Sequence, residues 1–212
     1  GARHVKGDIR DAETVGIAME GQEAVVHLAA MVSAAGSIDD PETTYTVNIE
    51  ASVNVLTAAR LAGVKKAVLA SSAAVYGLEP NTPTKEDEPL QPLSPYAESR
   101  IAMEELDKEA GLPTVCLRFF NVYGPGQRIE GDYAAIVPLS ISRAIKNEIV
   151  TIYGDGEQTR DFIYVTDVCK AIELALEKGT GAINIASGNE SSINDIVTTV
   201  VKIAESESDI VH

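Results

Sequence analysis

Residues 24–71 read AVVHLAAMVSAAGSIDDPETTYTVNIEASVNVLTAARLAGVKKAVLAS, and this stretch decides the fold class. The apolar runs at 24–30 and 66–71 are short and rich in Val, Leu and Ala, which is typical of strands that are buried on both faces. Between them, residues 41–61 show helical periodicity. A strand, a helix and a second strand in this order predict a parallel α/β unit.

Local signals fix the ends of the helix at 41–61. Asp40 is a candidate N-cap, Pro41 occupies the first turn, and Gly63 follows the last periodic residue. Further strands are predicted at 3–7, 113–119, 149–153, 162–165 and 182–186, and further helices at 94–110, at 133–146, from a Thr166 cap to near Gly179, and from the capping sequence 192–195. The alternation predicts a doubly wound parallel sheet with helices on both faces.

Composition excludes several classes of function. The 212 residues carry a formal net charge of −15, and a surface this negative repels the phosphate backbone of nucleic acids. No apolar stretch is long enough to cross a bilayer, and no secretory signal is visible. Cys116 and Cys169 are predicted to be buried thiols in a reducing, cytoplasmic compartment. His4, His27 and His212 lack metal-ligand spacing, so we expect no metal.

A tyrosine and a cation lie four residues apart near the start of the helix predicted at 94–110. Tyr96 and Arg100 share one helix face, so the cation is expected beside the phenol. A fixed positive charge there favours the phenolate, which can act as a base. The alternative is an amphipathic surface helix in which the two residues are incidental.

Two serines end the strand predicted at 66–71. The segment Ser71-Ser72-Ala73-Ala74-Val75-Tyr76-Gly77 lies at the carboxyl end of that strand, where open α/β sheets place their ligands. A hydroxyl group there can hydrogen-bond a ligand oxygen and help to pass its proton to the tyrosine. The alternative is that the serines simply end a strand and open a loop.

Further short segments along the chain contribute to one ordered set of motifs. They are Gly7-Asp8-Ile9-Arg10, His27-Leu28-Ala29-Ala30, Asn48, Arg118-Phe119-Phe120-Asn121-Val122-Tyr123-Gly124-Pro125, and Tyr153-Gly154-Asp155-Gly156 with Arg160-Asp161-Phe162. Together with the Tyr-x-x-x-cation pair, they resemble the NAD-dependent epimerase/dehydratase family of extended short-chain dehydrogenases, especially its UDP-sugar 4-epimerases.

This resemblance implies a Rossmann-like fold, NAD as cofactor and a UDP-sugar as substrate. Epimerisation would occur at C4 of the sugar, with Tyr96 as acid/base, Ser72 as its assistant and Arg100 as the neighbouring cation. The implied cofactor contacts are Asp8, Ile9, Leu28, Ala29, Ala30, Asn48, Ser71, Tyr96, Arg100 and Phe119. The implied substrate contacts are Ser72, Asn121, Ala135, Ile136, Tyr153 and Arg160. Asn121 and Arg160 would hold the diphosphate, and Tyr153 would face the uracil.

The resemblance also implies a domain division and an assembly. Residues 1–121 would form part of a dinucleotide-binding domain, with 149–168 partly returning to it, and residues 122–212 a substrate-binding part. A homodimer would form through the helix at 41–61 and the Tyr96 helix. Their apolar outer stripe includes Val53, Ala58, Ile101 and Leu106, which could equally pack on the chain's own sheet.

Two of the implied roles have plain alternatives. Asn48 is equally explained as an ordinary polar helix residue. Arg160 could instead form a surface salt bridge with Asp155 or Asp161, and such bridges contribute little to stability.

Three features depart from the family pattern. Arg100 stands where the family usually has Lys, and Ala73 and Ala74 stand where related dehydratases carry an acidic pair. Two methyl groups cannot transfer protons, so epimerisation is favoured over dehydratase or decarboxylase chemistry. No strand followed by a Gly-rich turn precedes residue 24, so we expect an incomplete first cofactor unit and weak binding of NAD. A non-catalytic nucleotide-sugar or dinucleotide-binding module is the second interpretation.

Overall fold

The computed structural model describes residues 4–78, 80–109, 111–129 and 135–212. The helices are α1 (Ala12–Met19), α2 (Ala34–Asp39), α3 (Pro41–Tyr45), a π-helical turn (Thr46–Glu50), α4 (Ala51–Leu61), a 3-10 turn (Ala73–Tyr76), α5 (Pro95–Glu109), α6 (Ile136–Ile145), α7 (Val165–Glu177) and α8 (Ile193–Ile203). The strands are β1 (Ala24–His27), β2 (Lys66–Ser72), β3 (Thr114–Phe119), β4 (Asn121–Tyr123), β5 (Val150–Thr151), β6 (Thr159–Arg160), β7 (Phe162–Tyr164), β8 (Gly181–Ile185), β9 (Ser191–Ser192) and β10 (Ile210–Val211).

The chain divides into two compact units. The first comprises Gly1–Phe119 and Lys170–Ile185, and the second comprises Phe120–Cys169 and Ala186–His212. The segment that returns to the first unit is therefore 170–185, whereas the predicted 149–168 belongs to the second unit. Residues 170–185 return to the first unit because they include β8, the fourth strand of its sheet, which is hydrogen-bonded to β3.

A parallel four-stranded sheet forms the centre of the first unit. Its strand order is β1-β2-β3-β8, and all three pairings are parallel. The register places Ser72 of β2 beside Phe119 of β3, at the carboxyl ends of both strands. Parallel strands are stable when helices cover both faces of the sheet, and both faces are covered here.

Alternate residues of the strands feed two separate cores. Leu69 and Cys116 pack with residues of α1, α4 and α5 on one face. Val68, Val115 and Leu117 pack with Ala175 of α7 on the other. Successive residues face opposite sides of the sheet and both sides are covered, so the sequence shows continuous apolar runs. This arrangement confirms the predicted doubly wound class.

The predicted helix at 41–61 is helical throughout, but it is interrupted by a π-helical turn at Thr46–Glu50. Asp40 caps its start as predicted, because its carboxylate accepts a hydrogen bond from the Thr43 amide at 3.0 Å. Gly63 follows the end with a φ of +76°, which only glycine adopts without strain. The π turn widens the helix by one residue and carries the fully buried Asn48.

Several predicted boundaries were wrong. Residues 4–7 form no strand. In the described part of the sheet, β1 is an outer strand that pairs with β2, and residues 4–7 do not pair with its free edge. Helix α7 begins at Val165, so Thr166 lies inside its first turn. Helix α2, capped by Ser33, was missed because its six residues are too few for periodicity to appear. Residues 133 and 134 of the predicted helix at 133–146 lie outside the described residues.

Cys169 is exposed, contrary to the prediction that both cysteines are buried. The apolar stripe of α7 consists of residues 168, 172, 175 and 176, at helical spacing, and position 169 lies beside that stripe. Cys116 is buried as predicted, and no disulfide joins the two cysteines.

The second unit is built around a small core of its own. Val150 and Ile152, in and next to β5, pack with Val197 of α8 and Ile210 of β10. Among the described residues its strands form three two-stranded pairs: β5 with β10 and β4 with β7 in parallel, and β6 with β9 antiparallel. Ser192 caps α8 as predicted, since its hydroxyl oxygen accepts from the Asp195 amide at 3.0 Å. None of the helices in the described ranges has both the length and the hydropathy that a bilayer crossing requires.

Stability at mildly acidic pH is expected to depend on His27. Burial, reinforced by the charge of Arg100, lowers the pKa of the His27 imidazole from 6.5 to about 4. The unfolded chain therefore binds one more proton between these values. The neutral ring contributes stability that is fully present above pH 6.5 and is lost as the pH falls towards about 4, by about 3 kcal/mol in all.

Denaturant unfolding across this pH range measures the effect. The His27→Gln variant retains a donor for Ser52, whose hydroxyl oxygen lies 2.8 Å from the ring Nε2, but it does not titrate. We expect the free energy of unfolding to depend less on pH in this variant than in wild type. In the exposed control His4→Gln, its pH dependence should equal that of wild type. Equal slopes in wild type and His27→Gln would refute the assignment.

Candidate active site

Tyr96 and Arg100 lie on consecutive turns of α5, as the four-residue spacing predicted. Ser94 caps this helix through a hydrogen bond from the Ala97 amide at 3.2 Å, and Pro95 is its first residue. The guanidinium carbon of Arg100 lies 4.9 Å from the centroid of the Tyr96 ring. The cation is therefore stacked on the ring face, in a cation–π contact.

Arg100 is almost fully buried, with 3% of its surface exposed. Its Nη1 donates to the carbonyl oxygen of Ala70 on β2 at 3.1 Å. Its buried Nε has no hydrogen-bond partner among the described residues. A buried guanidinium donor without an acceptor is costly, and it is the kind of group that a ligand oxygen satisfies.

The two serines at the end of β2 point to different partners. The Ser71 hydroxyl donates to the carboxylate of Glu104 at 2.5 Å and is buried. The Ser72 hydroxyl oxygen accepts from the Ala74 amide at 3.2 Å, which begins the 3-10 turn. Ser72 is half-buried and adjoins Phe119, which is also half-buried. The hydroxyl of Ser72 is thus the one with its hydrogen available to a ligand.

Asn48 is fully buried and hydrogen-bonded on two sides. Its Oδ1 accepts from the Met31 amide at 2.8 Å, and its Nδ2 donates to the Met31 carbonyl at 2.9 Å. Nδ2 also donates to the Ser99 hydroxyl at 3.0 Å, and that hydroxyl donates to the Tyr96 carbonyl. Asn48 therefore ties the loop after β1 to the turn of α5 that carries Tyr96.

Three of the five predicted cofactor contacts within residues 8–30 line one cavity. Ile9, Leu28 and Ala29 line an open apolar cavity of about 320 Å³ beside β1, and Ala30 follows them half-buried. Asp8 has a different environment, since its carboxylate forms an exposed ion pair with Arg10 at 2.6 Å. Hydrogen bonds from Arg10 lower the pKa of the Asp8 carboxyl to about 2.

In the second unit, Asn121 is held by Asp161. The Asn121 backbone amide and its Nδ2 both donate to the Asp161 carbonyl, each at 3.0 Å. The Asp161 carboxylate in turn accepts from the backbone amides of Ser187, Gly188 and Asn189, at 2.7 to 3.2 Å. One N–H and the side-chain oxygen of Asn121 remain for a ligand.

Arg160 is exposed and donates to the carbonyl of its neighbour Thr159 at 2.7 Å. No ion pair joins it to Asp155 or Asp161 in the described part of the chain, so the salt-bridge alternative has no support. Tyr153 is 87% exposed and follows β5. Ala135 is the N-cap of α6, and Ile136 packs against the core of the second unit.

Sequence reasoning missed a polar cluster behind the serines. It contains Glu104, Arg118, Tyr76 and Asn184, which are joined by hydrogen bonds. One signal was available, because Arg118 is a charged residue within the apolar run of a central strand. A charge at such a position requires a buried partner. Glu104 follows Arg100 by one helical turn, so it lies on the same face of α5 as Arg100. An acidic residue on that face was a candidate partner for Arg118.

Comparison with known proteins agrees with this geometry. The model of the "NAD dependent epimerase/dehydratase family" matches residues 1–186. A putative UDP-glucose 4-epimerase of Methanocaldococcus jannaschii is 38% identical over 202 residues, which cover 92% of this chain and 66% of that protein. The chain thus spans about two thirds of the length of this curated relative.

Solved structures give the same result. A UDP-N-acetylglucosamine 4-epimerase from Methanobrevibacter ruminantium, in complex with UDP-N-acetylmuramic acid, superposes with a TM-score of 0.93 at 39% identity, over 98% of this chain and 68% of that one. A Thermus thermophilus UDP-glucose 4-epimerase in complex with NAD superposes with a TM-score of 0.90 at 35% identity, over 97% and 70%. The chain therefore belongs to the NAD-dependent epimerase/dehydratase family.

Proposed function

We propose that the complete protein is an NAD-dependent nucleotide-sugar 4-epimerase that acts on a UDP-sugar through a transient 4-keto sugar. One observation carries this proposal. A phenol and a buried guanidinium, Tyr96 and Arg100, are stacked on α5 where that helix is bonded to the end of β2 that carries Ser72. This is the carboxyl edge of a parallel sheet, where α/β proteins bind their ligands.

The residues after Ser72 narrow the chemistry. Ala73 and Ala74 form the first half of the 3-10 turn and offer only methyl groups. Dehydration requires a group that protonates the leaving hydroxyl and another that removes a second proton, and these side chains can do neither. A reaction that needs a single acid–base group is the one that this turn supports.

The residues of the first unit fit a dinucleotide. Among the described residues the buried Nε of Arg100 has no acceptor, and the exposed Ala29 and half-buried Ala30 have small side chains that permit close approach. Arg100, Phe119 and this segment would hold NAD, with Asp8 and Ile9 towards its adenine. NAD, when bound, supplies the chemistry that removes a hydride from C4 and returns it to the opposite face.

The protein moves the proton. Tyr96, with Arg100 stacked on its ring, accepts the proton of the sugar 4-hydroxyl and gives it back when the hydroxyl is regenerated. The Ser72 hydroxyl bridges the sugar oxygen and the phenol. Asn48 fixes the backbone of the Tyr96 turn, so the base is held in place before substrate binds.

The second unit is proposed to bind the UDP part of the substrate. Arg160 offers a charged fork for a diphosphate, and Asn121 offers its remaining amide hydrogen. Tyr153 presents an exposed ring suited to the uracil. Ala135 and Ile136, at the start of α6, are proposed to contact the sugar.

Location and assembly are also proposed. A cytoplasmic location is supported by two cysteines that form no disulfide. A homodimer through α4 and α5 is supported by Val53, which is 42% exposed, and by the half-buried Ile101. Ala58 and Leu106 contribute less to such a surface than the sequence suggested, because they pack against the core of their own unit.

A panel of UDP-sugars tests the function. The complete protein, supplied with NAD, is incubated with UDP-glucose, UDP-galactose and their N-acetylated counterparts, and the sugars are followed by NMR. We expect one pair of 4-epimers to reach the same ratio from either side without net reduction of NAD. Loss of water or of CO₂ would point to dehydratase or decarboxylase chemistry. Binding without turnover would favour a non-catalytic module.

Arg100→Lys is expected to raise turnover severalfold. A lysine ammonium is a compact charge with rotatable donors, so it can serve the Ala70 carbonyl and a ligand oxygen together, whereas the planar guanidinium must reach both with donors in a fixed fork. Steady-state kcat measures the effect. Arg143→Lys is the control, since Arg143 lies in the second unit, where its Nη1 donates to the Ile149 carbonyl. Equal or lower turnover in Arg100→Lys would contradict this expectation.

A further inference from the structure

A buried ion pair joins α5 to the sheet behind the candidate active site. Arg118 of β3 donates from Nε to Oε1 of Glu104 at 3.0 Å and from Nη2 to Oε2 at 2.7 Å. The two side chains are only 5% and 9% exposed. This bidentate geometry fixes the position of one side chain relative to the other in two directions.

Glu104 holds the strand end that precedes Ser72. Its Oε1 also accepts a hydrogen bond from the Ser71 hydroxyl at 2.5 Å. One turn earlier on the same helix face, Arg100 donates to the carbonyl of Ala70. Two consecutive residues of β2 are thus bonded to the helix that carries Tyr96, and the next residue is Ser72.

Arg118 holds the turn that follows Ser72. Its Nη1 donates to the Tyr76 hydroxyl at 2.7 Å, and the guanidinium lies 5.0 Å from the centre of the Tyr76 ring. The Tyr76 hydroxyl donates to Asn184 of β8 at 2.6 Å. Nη1 also donates to the Glu86 carbonyl at 3.0 Å. The last residue of the 3-10 turn is therefore fixed to β3 and β8.

Hydrogen bonding, rather than exposure to water, stabilises the charge of Arg118. Burial by itself would lower the pKa of the Arg118 guanidinium, but the hydrogen bonds to Glu104 and Tyr76 outweigh it and raise that pKa. A fully satisfied network of this kind has one geometry, which makes it suitable for fixing the relative position of the elements that it joins.

We propose that Glu104 and Arg118 are positioning residues that fix Ser72 relative to Tyr96. Glu104 fixes the residue that precedes Ser72 in the chain, and Arg118 fixes the turn that follows it. This inference rests on the proposed epimerase function. Neither residue needs to touch substrate: Glu104 acts through Ser71, and Arg118 acts through Tyr76. A purely stabilising pair could be replaced by apolar residues of similar volume without loss, since such replacements of buried ion pairs are often neutral or stabilising.

The double variant Glu104→Leu/Arg118→Met separates the two roles. It removes both charges together, so it is expected to fold, but it breaks the bonds to Ser71, Tyr76 and Glu86. In the complete protein we expect kcat for the UDP-sugar to fall by about 10²-fold, the effect of a misplacement of about 1 Å in an active site. The KM should change little, because the proposed diphosphate contacts are in the second unit.

Lys66→Met is the matched control. It removes a hydrogen-bonded cation from the same strand, β2, but at the opposite end of it, where Lys66 donates to the Gly179 carbonyl. Its kcat should equal that of wild type. A double variant with wild-type kcat overturns the proposal. A wild type that turns over none of the UDP-sugars refutes the proposed function instead.

A crystal structure of the double variant tests the proposal independently of activity. We expect the Ser72 hydroxyl to move by about 1 Å relative to the Tyr96 hydroxyl. An unchanged separation overturns the proposal. If the double variant does not fold, Tyr76→Phe removes only the hydroxyl between Arg118 and Asn184, and the same two readouts apply. A shifted Ser72 together with a lower kcat supports the proposal. A variant with an unshifted Ser72 and wild-type kcat overturns it.

Discussion

Replacing Tyr96 by Phe lowers kcat of the complete protein by about 10²–10⁴-fold, the usual contribution of a general acid–base group. The variant keeps the ring, and with it the contact to Arg100, but it loses the phenol oxygen that accepts the proton of the sugar hydroxyl in the proposed mechanism. Fold and substrate affinity should be little affected, because the backbone of Tyr96 keeps its hydrogen bonds with Ser37 and Ser99. Steady-state kinetics and a denaturation curve measure both effects.

Tyr45→Phe is the control for this substitution. Tyr45 also donates its hydroxyl hydrogen to a residue of α5, the carboxylate of Glu98, but it does so on the exposed side of the helix. Its loss should leave kcat within about twofold of wild type, as expected for a residue outside the chemistry. A Tyr96→Phe variant that retains more than about a tenth of the wild-type kcat would exclude general acid–base catalysis by this phenol.

Arg118→Met alone lowers the free energy of unfolding by about 3–5 kcal/mol, the usual result of removing one partner of a buried ion pair. Glu104 would be left 9% exposed, with its charge uncompensated. Adding Glu104→Leu should restore most of the loss, because the unpaired charge disappears with it. Denaturant unfolding at one pH measures all three proteins.

An exposed pair of the same kind provides the control. Arg10 binds Asp8 with two hydrogen-bonding nitrogens, as Arg118 binds Glu104, but both of those side chains are half exposed. Arg10→Met should leave the free energy of unfolding almost unchanged, since water solvates the remaining carboxylate. Equal losses in Arg10→Met and Arg118→Met would show that burial does not determine the strength of these pairs.

The helices and the sheet could be predicted from the sequence because their signals are local. Asp40, Pro41 and Gly63 mark helix ends through bonds and backbone angles that involve only neighbouring residues. The continuous apolar runs of β2 and β3 reflect burial on both faces, and they can be recognised without knowledge of the partner strand. The Tyr96–Arg100 pair was predictable for the same reason, since four residues make one helical turn.

Features that depend on distant parts of the chain were not predictable in this way. Asn48 meets Met31 and Ser99 from within a π turn, and periodicity does not reveal a π turn. Cys169 follows an apolar pattern in sequence, yet it lies outside the stripe of α7 that packs on the sheet. The partners of Arg118 lie on α5 and in the 3-10 turn, and only the packing of the helix on the sheet brings them together.

The most direct test of the account is the structure of the complete protein with NAD and a UDP-sugar bound. We predict that the Tyr96 hydroxyl lies within about 3.2 Å of the oxygen on C4 of the sugar, with the Ser72 hydroxyl bonded to the same oxygen. A sugar bound elsewhere, or a C4 hydroxyl that faces a different acid–base group while Tyr96 contacts no ligand, would contradict the proposed mechanism.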